Sequence, residues 1–177
     1  MGTLTAENSG MEKKQLIGLA LGLLTFLGSS CSTPPRGVFP YEAGVIDLRD
    51  EPTSLALLRG RPVVFVTYAA SMPDCRKRIE RFVALSDAFR GAEIRFVAVD
   101  IGPPEAAKGS EALPEERGNV LFLKDRNNEV TRALKIDITP TTFLVSADGK
   151  IQDRIESVYT WDSPDFRRHV QTATRGR

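Results

Sequence analysis

The sequence of 177 residues has only two cysteines, Cys31 and Cys75, and a single histidine, His169. It also has no excess of charge of either sign, because 24 lysines and arginines stand against 23 aspartates and glutamates. A protein that binds nucleic acid through its charge has a strongly basic face or tail. With a formal net charge of +1, the composition gives no support to that class of function.

Long hydrophobic runs are scarce as well. The uncharged apolar run at residues 16–27 is shorter than the roughly 20 residues that cross the hydrocarbon core of a bilayer. It follows Lys13 and Lys14 and ends in small residues, which is the pattern of a secretory leader. Because the pattern starts at Met11, we expect residues 1–10 to be either a misassigned start or a dispensable extension. The leader is predicted to occupy residues 1–30.

The leader ends in LGSSC, at Cys31, and resembles a bacterial lipoprotein signal. The resemblance implies cleavage before Cys31 and attachment of lipid to its sulfur. The usual pattern has leucine three residues before the cysteine, whereas this sequence has Gly28 there and Leu27 one place earlier. A plain cleaved signal peptide and a short uncleaved anchor remain alternatives. If Cys31 carries lipid, Cys75 is the only free thiol of the mature chain, and an internal disulfide is excluded.

Residues 31–44 are rich in proline, glycine and serine and show neither a helical nor a strand period. They are therefore predicted to form a flexible tether. One compact domain is expected from residue 45 to residue 177, since 41% of the chain is hydrophobic and the length suits a single core. Together these features predict an exported, membrane-anchored protein of the bacterial cell envelope, facing the periplasm or the exterior.

Strand and helix patterns alternate within the expected domain. Residues 62–69 form a β-branched and aromatic run without alternation, which is typical of a strand buried on both faces. From Pro73 to Phe89, apolar residues including Cys75 recur at helical spacing. Pro73 and Asp74 suit the first turn of that helix.

Turn and cap residues indicate the remaining elements. Further strands are predicted at residues 45–48, 92–102 and 119–125, followed by a hairpin over residues 141–156 that turns at Asp148 and Gly149. Further helical segments are predicted at residues 55–58, at 127–136 with Asn127 or Asn128 as cap, and at 163–173 with Ser163 as cap. This order predicts an α/β fold, with a central mixed β-sheet flanked by helices on both faces.

Residues 54–77 and 138–151, and the βαβ spacing between them, resemble the thioredoxin-like superfamily. The resemblance is to its membrane-tethered TlpA or redoxin group and covers residues 45–173. Where that group has a strand, an aromatic residue and then W-C-x-x-C, this sequence has FVTYAASMPDC. Where the group has a cis-proline loop, a strand and a D-G turn, it has ITPTTFLVSADG. The resemblance implies a thioredoxin-like fold.

The usual chemistry of this group needs two thiols. The first cysteine, at the amino end of a helix, attacks as a thiolate, and the second resolves the mixed disulfide. By the resemblance, Met72 occupies the attacking position and Cys75 the resolving one, so the site is a degenerate MPDC motif. A thioether neither ionises nor forms a disulfide, which excludes the dithiol cycle. Ser71 stands where the group has tryptophan, and Val66 where thioredoxins have a buried acid for proton transfer.

The resemblance also implies a binding groove. Pro140 matches the cis-proline of the family, and the backbone of the preceding Thr139 would pair with an extended substrate. Met72, Pro73, Thr139 and Pro140 are thus the candidate substrate-binding residues. A cis bond precedes only about 5–6% of prolines in folded proteins, so the alternative is that Pro140 simply shapes the entry to a strand.

Cys75, the candidate catalytic residue, leaves two functions open. Free cysteine often packs as a small buried hydrophobe, and the protein would then bind a partner polypeptide of the envelope without redox turnover. Alternatively, Cys75 is reachable past Met72 and forms a mixed disulfide or a sulfenic acid. The protein would then be a monothiol thiol–disulfide oxidoreductase or a redox sensor.

Two other chemistries receive less support. The segment YAASMPDC also resembles Sco-type copper chaperones, whose C-P-D-x-C motif and distant histidine bind copper. Here Met72 replaces the first cysteine, the spacing is one residue shorter, and His169 lies on the predicted last helix as a solvated residue. The peroxiredoxin pattern P-x-x-x-T-x-x-C is absent around Cys75. We expect no metal, no cofactor and no nucleic acid partner.

Overall fold

The computed structural model describes residues 37–103, 119–156 and 161–175. The predicted leader, Cys31, most of the predicted tether and the polar segment at 104–118 lie outside the described residues. Within the three described ranges, no helix is long and apolar enough to cross a bilayer.

Seven strands of the described residues form one sheet in the order β2-β1-β5-β4-β3-β6-β7. β3 pairs in parallel with β4, and β4 with β5, while every other pairing is antiparallel. The expected mixed sheet is therefore confirmed. The strands are β1 (Gly44–Ile46), β2 (Pro52–Ser54), β3 (Val63–Tyr68), β4 (Arg95–Asp100), β5 (Val120–Lys124), β6 (Thr141–Val145) and β7 (Ile151–Glu156).

Three α-helices flank this sheet in the described part of the chain: α1 (Cys75–Ala88), α2 (Glu129–Ala133) and α3 (Pro164–Thr174). A 3-10 turn at Leu55–Leu58 precedes β3, as predicted. Ser163 caps α3, because its side-chain oxygen accepts a hydrogen bond from the N–H of Phe166 at 3.1 Å. This cap was also predicted and offsets one of the unpaired N–H groups of the first turn.

Two hydrophobic cores lie on opposite faces of the sheet, because successive strand residues point to opposite faces. On β3, Val64 and Val66 join the core beneath α1 and α3. Val63 and Phe65 join the other core, which includes Val130 of α2. All six residues of β3 are buried, and β4 and β6 are its neighbours. The expected central strand with helices on both faces is confirmed.

The structure corrects one expectation about where the folded part begins. Phe39, Tyr41 and Ala43, within the segment predicted as a tether, are buried in the core. The N–H of Phe39 donates to the carbonyl of Gly149 at 2.8 Å. The ordered core thus starts at Phe39 rather than at Val45, since these apolar side chains are spaced two apart and cover the sheet.

Two helix starts also differ from expectation. Helix α1 begins at Cys75, so Pro73 lies before it, and Asp74 adopts a left-handed backbone with φ of 58° and no side-chain capping bond. Asn128 likewise has no side-chain capping bond to α2. Asp125 caps that helix instead: its carboxylate accepts from the N–H of Val130 at 3.2 Å and of Thr131 at 2.8 Å.

Candidate functional site

The candidate site lies in the turn between β3 and α1. The N–H of Met72 donates to the carbonyl of Ala69 at 3.0 Å, and the N–H of Cys75 donates to the carbonyl of Met72 at 3.1 Å. These two bonds fold the chain back on itself just before the helix. They place Cys75 at the first position of α1 and Met72 one turn ahead of it.

The loop before β6 brings the second half of the site to Met72. The Thr139–Pro140 peptide bond is cis, as the resemblance implied. The hydroxyl of Thr139 donates to the sulfur of Met72 at 2.9 Å, joining residues that are 67 positions apart. Of the four predicted substrate-binding residues, the structure therefore brings Met72, Thr139 and Pro140 together. Pro73 is exposed and does not line the cavity described next.

Met72, Cys75 and Pro140 line a small apolar cavity that Tyr68 and Trp161 help to close. Its volume is about 10 Å³, which is about the space that one water molecule needs. No ligand larger than water can therefore reach the thiol through this cavity as it stands. Any larger partner must lie across the outer surface of the site.

Cys75 is buried, with 8% of its surface exposed. The amino end of a helix ordinarily favours a thiolate and lowers a cysteine pKa. Here the pKa of Cys75 is raised, first because burial disfavours the thiolate and second because Asp100 carries a negative charge nearby, with Arg78 opposing both. Burial of Cys75 therefore opposes the effect of the helix end on its pKa.

Asp100 is a buried acid that the sequence analysis missed. It ends β4, opposite Tyr68 at the end of β3, and only 6% of it is exposed. One carboxylate oxygen accepts from the N–H of Ala70 at 3.2 Å and from the N–H of Gly102 at 2.9 Å. The signal for it was an acidic residue ending the apolar run FVAVD. At the position expected for a buried acid, Val66 is fully buried in the core.

Tyr68 belongs to the same cluster. Its pKa is raised, chiefly because it is buried and further because Asp100 and Cys75 lie nearby, while Arg126 acts in the opposite direction. One terminal nitrogen of Arg126 is buried, and no hydrogen-bond partner for it is found among the described residues. The carboxyl ends of β3 and β4 therefore place a phenol, a thiol and a carboxylate close together.

Trp161 lies in the same core as Phe166 of α3, with 3% exposure and an edge contact to Phe82 at 5.2 Å between ring centroids. Its indole N–H donates to the hydroxyl of Thr142 at 3.3 Å. Trp161 also lines the cavity beside Cys75, a role that the sequence pattern did not indicate.

The histidine does not approach the candidate site. His169 is an exposed residue of α3, and its Nε2 lies 2.6 Å from a carboxylate oxygen of Asp153 on β7. It does not line the cavity. In residues 37–103, 119–156 and 161–175, no group of three or more His, Cys, Asp or Glu side chains could hold a metal ion.

Comparison with protein families gives one match over most of the chain. The model described as the AhpC/TSA family matches residues 40–154. Among curated proteins, the thiol-disulfide oxidoreductase ResA of Geobacillus kaustophilus strain HTA426 is 24% identical over 128 residues, which are 71% of each chain. The expected membership of the thioredoxin-like superfamily is confirmed.

Solved structures show the same fold. The thioredoxin domain of a thiol-disulfide oxidoreductase from Bacteroides vulgatus has a TM-score of 0.60 at 21% identity, over 80% of this chain and 98% of that one. A secreted disulfide oxidoreductase of Mycobacterium tuberculosis has a TM-score of 0.59 at 16% identity, over 73% and 94%. The bacterioferritin comigratory protein of Xanthomonas campestris has a TM-score of 0.60 at 18% identity, over 81% and 99%.

Proposed function

The chain belongs to the AhpC/TSA family of thioredoxin-like proteins, and on that premise we propose that it binds an extended partner polypeptide without disulfide turnover. The partner would lie in the groove formed by Met72, Thr139 and Pro140. An envelope protein or peptide is the expected partner. Met72 carries this proposal, because the position of the attacking thiol holds a thioether that is hydrogen-bonded to Thr139.

The remaining sulfur supports the same proposal. Cys75 is buried, its pKa is raised, and the cavity beside it has room for about one water molecule. A mixed disulfide requires a thiolate that a second sulfur can approach. The buried thiol and the narrow cavity therefore support a surface beside the cis-proline that supplies contact area rather than chemistry.

Exposed apolar surface lies next to this groove. Ile138, which precedes Thr139, is 51% exposed, and Met72 is half-buried. An extended segment that docks here would gain main-chain hydrogen bonds from the loop and side-chain contacts from these residues. The cavity is too small to admit a side chain, so the partner would lie across the surface.

A site-specific photocrosslinker tests this placement. Ile138 and Leu57 have the same exposed fraction, 51%, but only Ile138 adjoins the groove, so Leu57 is the matched control. We expect a crosslinker at position 138 to give a defined adduct with an envelope protein and one at position 57 to give none. A further Met72→Arg substitution should abolish the adduct. Equal adducts at both positions, or an adduct that persists with Met72→Arg, would contradict the proposal.

Thiol labelling tests the absence of redox chemistry. We expect Cys75 in the native protein to resist an alkylating reagent near neutral pH and to react only after unfolding, because the reagent needs an accessible thiolate. The unfolded chain is the control for complete reaction. Prompt labelling of the folded protein would refute a silent Cys75.

A second candidate function is a monothiol oxidoreductase or redox sensor that uses Cys75. The names of similar proteins favour it, since the ResA relative is a thiol-disulfide oxidoreductase. In this case Cys75 traps a partner as a mixed disulfide that is visible on non-reducing gels. A Cys75→Ser substitution should remove those adducts, and unchanged adducts would count against this function.

The predicted leader and Cys31 support a lipid-anchored envelope protein. A similar protein of Mycobacterium tuberculosis is described as secreted, and the LGSSC segment supplies the cysteine to which lipid would be attached. We expect Cys31→Ser to move the protein from the membrane fraction to the soluble fraction. Retention in the membrane fraction would exclude lipidation as the anchor.

A further inference from the structure

We propose that Asp100 is the positioning residue of this site, fixing the turn that carries Met72 and leads into Cys75. The inference deepens the proposed function and rests on it, because the position of Met72 beside Thr139 shapes the proposed groove. Asp100 ends β4 and lies outside the MPDC motif, so the motif gives no indication of this role.

A chain of hydrogen bonds connects Asp100 to the thiol residue. Its carboxylate holds the N–H of Ala70. The adjacent carbonyl of Ala69 accepts from Met72, and the carbonyl of Met72 accepts from Cys75. Asp100 at the end of β4 is thus connected to Cys75 at the start of α1 by three hydrogen bonds and the peptide bond between Ala69 and Ala70. Displacement of the carboxylate would loosen the turn that sets the position of Met72.

Close packing fixes the carboxylate in place. It also accepts a bond from the N–H of Gly102, so it joins the loop after β4 to the loop after β3. A Cβ atom added at Gly102 would lie 3.1 Å from the carboxylate oxygen and 3.4 Å from the Cβ of Ala69. A side chain at position 102 would therefore crowd the carboxylate of Asp100.

The charges around Cys75 agree with this role. Burial and the Asp100 carboxylate raise the pKa of Cys75, and the guanidinium of Arg78 on α1 opposes them. Tyr68 on β3 lies close enough for its own pKa to be raised by Cys75 and Asp100, with Arg126 opposing. Charges that are removed from solvent are screened less than surface charges. Of the two charged groups that act on Cys75, Asp100 is the negative one, and Asp100→Asn removes its charge with little change in shape.

Asn is the informative replacement, because its side-chain oxygen can still accept the bonds from Ala70 and Gly102 while its charge is zero. We expect Asp100→Asn to lower the pKa of Cys75, because a nearby negative charge is removed. The measurement is the Cβ chemical shift of Cys75 in the folded protein, followed by NMR over a series of pH values, which needs no reagent to enter the cavity.

Asp125→Asn is the matched control. Asp125 is also a buried carboxylate, 3% exposed, that accepts backbone N–H bonds just after β5. Its loss should lower stability without moving the pKa of Cys75. A pKa of Cys75 that is unmoved or raised in Asp100→Asn, or lowered equally in both variants, overturns the inference.

If Asp100→Asn does not fold, amide hydrogen exchange of the unmodified protein tests the two bonds to Asp100. Slow exchange of the amides of Ala70 and Gly102 supports the proposal, and exchange as fast as in the unfolded chain overturns it. Prompt labelling of the unmodified protein contradicts the proposed function, whereas an unmoved pKa of Cys75 contradicts only the role of Asp100.

Discussion

At the scale of single residues, the identity of position 72 decides which chemistry the site can perform. The sulfur of Met72 receives a hydrogen bond from Thr139 but cannot ionise or form a disulfide. Cys75, three residues on, is buried and has a raised pKa. The thioredoxin-like fold is therefore present, and under the proposed function this site lacks the pair of thiols that dithiol turnover needs.

A single substitution should restore the missing thiol. We expect Met72→Cys to give a protein that cycles between dithiol and disulfide, because the new thiol would lie one turn before Cys75, in the position that the resemblance assigns to the attacking cysteine. Catalysed reduction of a disulfide substrate, with a small dithiol as electron donor, should be at least about tenfold faster than with the unmodified protein. Met72→Ser is the control, and equal rates for the two variants would contradict the prediction.

The family resemblance indicated some residues of the candidate site and not others. Met72, Cys75 and Pro140 were matched through short motifs that are contiguous in the chain. Asp100 reaches the site only because β4 pairs in parallel with β3, and Trp161 only because α3 packs beneath the same face. These contacts depend on the topology of the sheet, which residue spacing alone does not give.

At the scale of elements, the strands and helices follow from periodicity. The starts of the helices depend instead on capping side chains that accept hydrogen bonds from backbone N–H groups later in the chain. Ser163 was recognised as a cap because it directly precedes its helix. Asp125 was not, since it caps α2 from four residues before Glu129 while the nearer Asn128 makes no capping bond. The start of α1 was placed too early because Pro73 suits a first turn as well as a preceding loop.

The turn between β6 and β7 gives an element-scale prediction. Gly149 has a φ of +83°, and a Cβ there would lie 2.7 Å from a ring carbon of Tyr41. Gly60 has a similar φ of +74° with no heavy atom within 4 Å of an added Cβ. We expect Gly60→Ala to lower the free energy of unfolding by about 1–2 kcal/mol through backbone strain alone. Gly149→Ala should cost about 1–3 kcal/mol more, because of the added clash.

Urea denaturation of the two variants measures this difference. The comparison isolates the contact with Tyr41, because both substitutions impose nearly the same backbone strain. Equal losses of stability would show that the ring of Tyr41 moves aside at no cost.

At the scale of the whole molecule, the mixed sheet joins two cores, and the sequence predicted this class of fold. It did not predict that Phe39 and Tyr41 belong to one of the cores. Proline and glycine around them resemble a tether, and only the packed sheet shows which side chains are buried. The ionisable groups of the cores then link the stability of the whole domain to pH.

Alkaline solution should therefore destabilise the protein. Burial raises the pKa values of Cys75, Tyr68 and Tyr41 above the unfolded values of about 8.5 for cysteine and 10 for tyrosine. Above each unfolded value the unfolded chain has released a proton that the native protein still holds. The unfolded state then binds fewer protons, so the free energy of unfolding falls as pH rises. Each group can contribute up to about 1.4 kcal/mol per pH unit until its folded pKa is reached.

Urea unfolding over a pH series checks this slope. For these groups we expect constant stability between about pH 6 and 8 and a decline that begins near pH 8.5 and steepens above about pH 10. Tyr68→Phe should remove part of the steeper decline and leave the first part intact, because the phenol titrates only in the upper range. Cys75→Ala should do the reverse. Stability that stays level or increases from about pH 8.5 to 11 would show that the native protein releases these protons as readily as the unfolded chain.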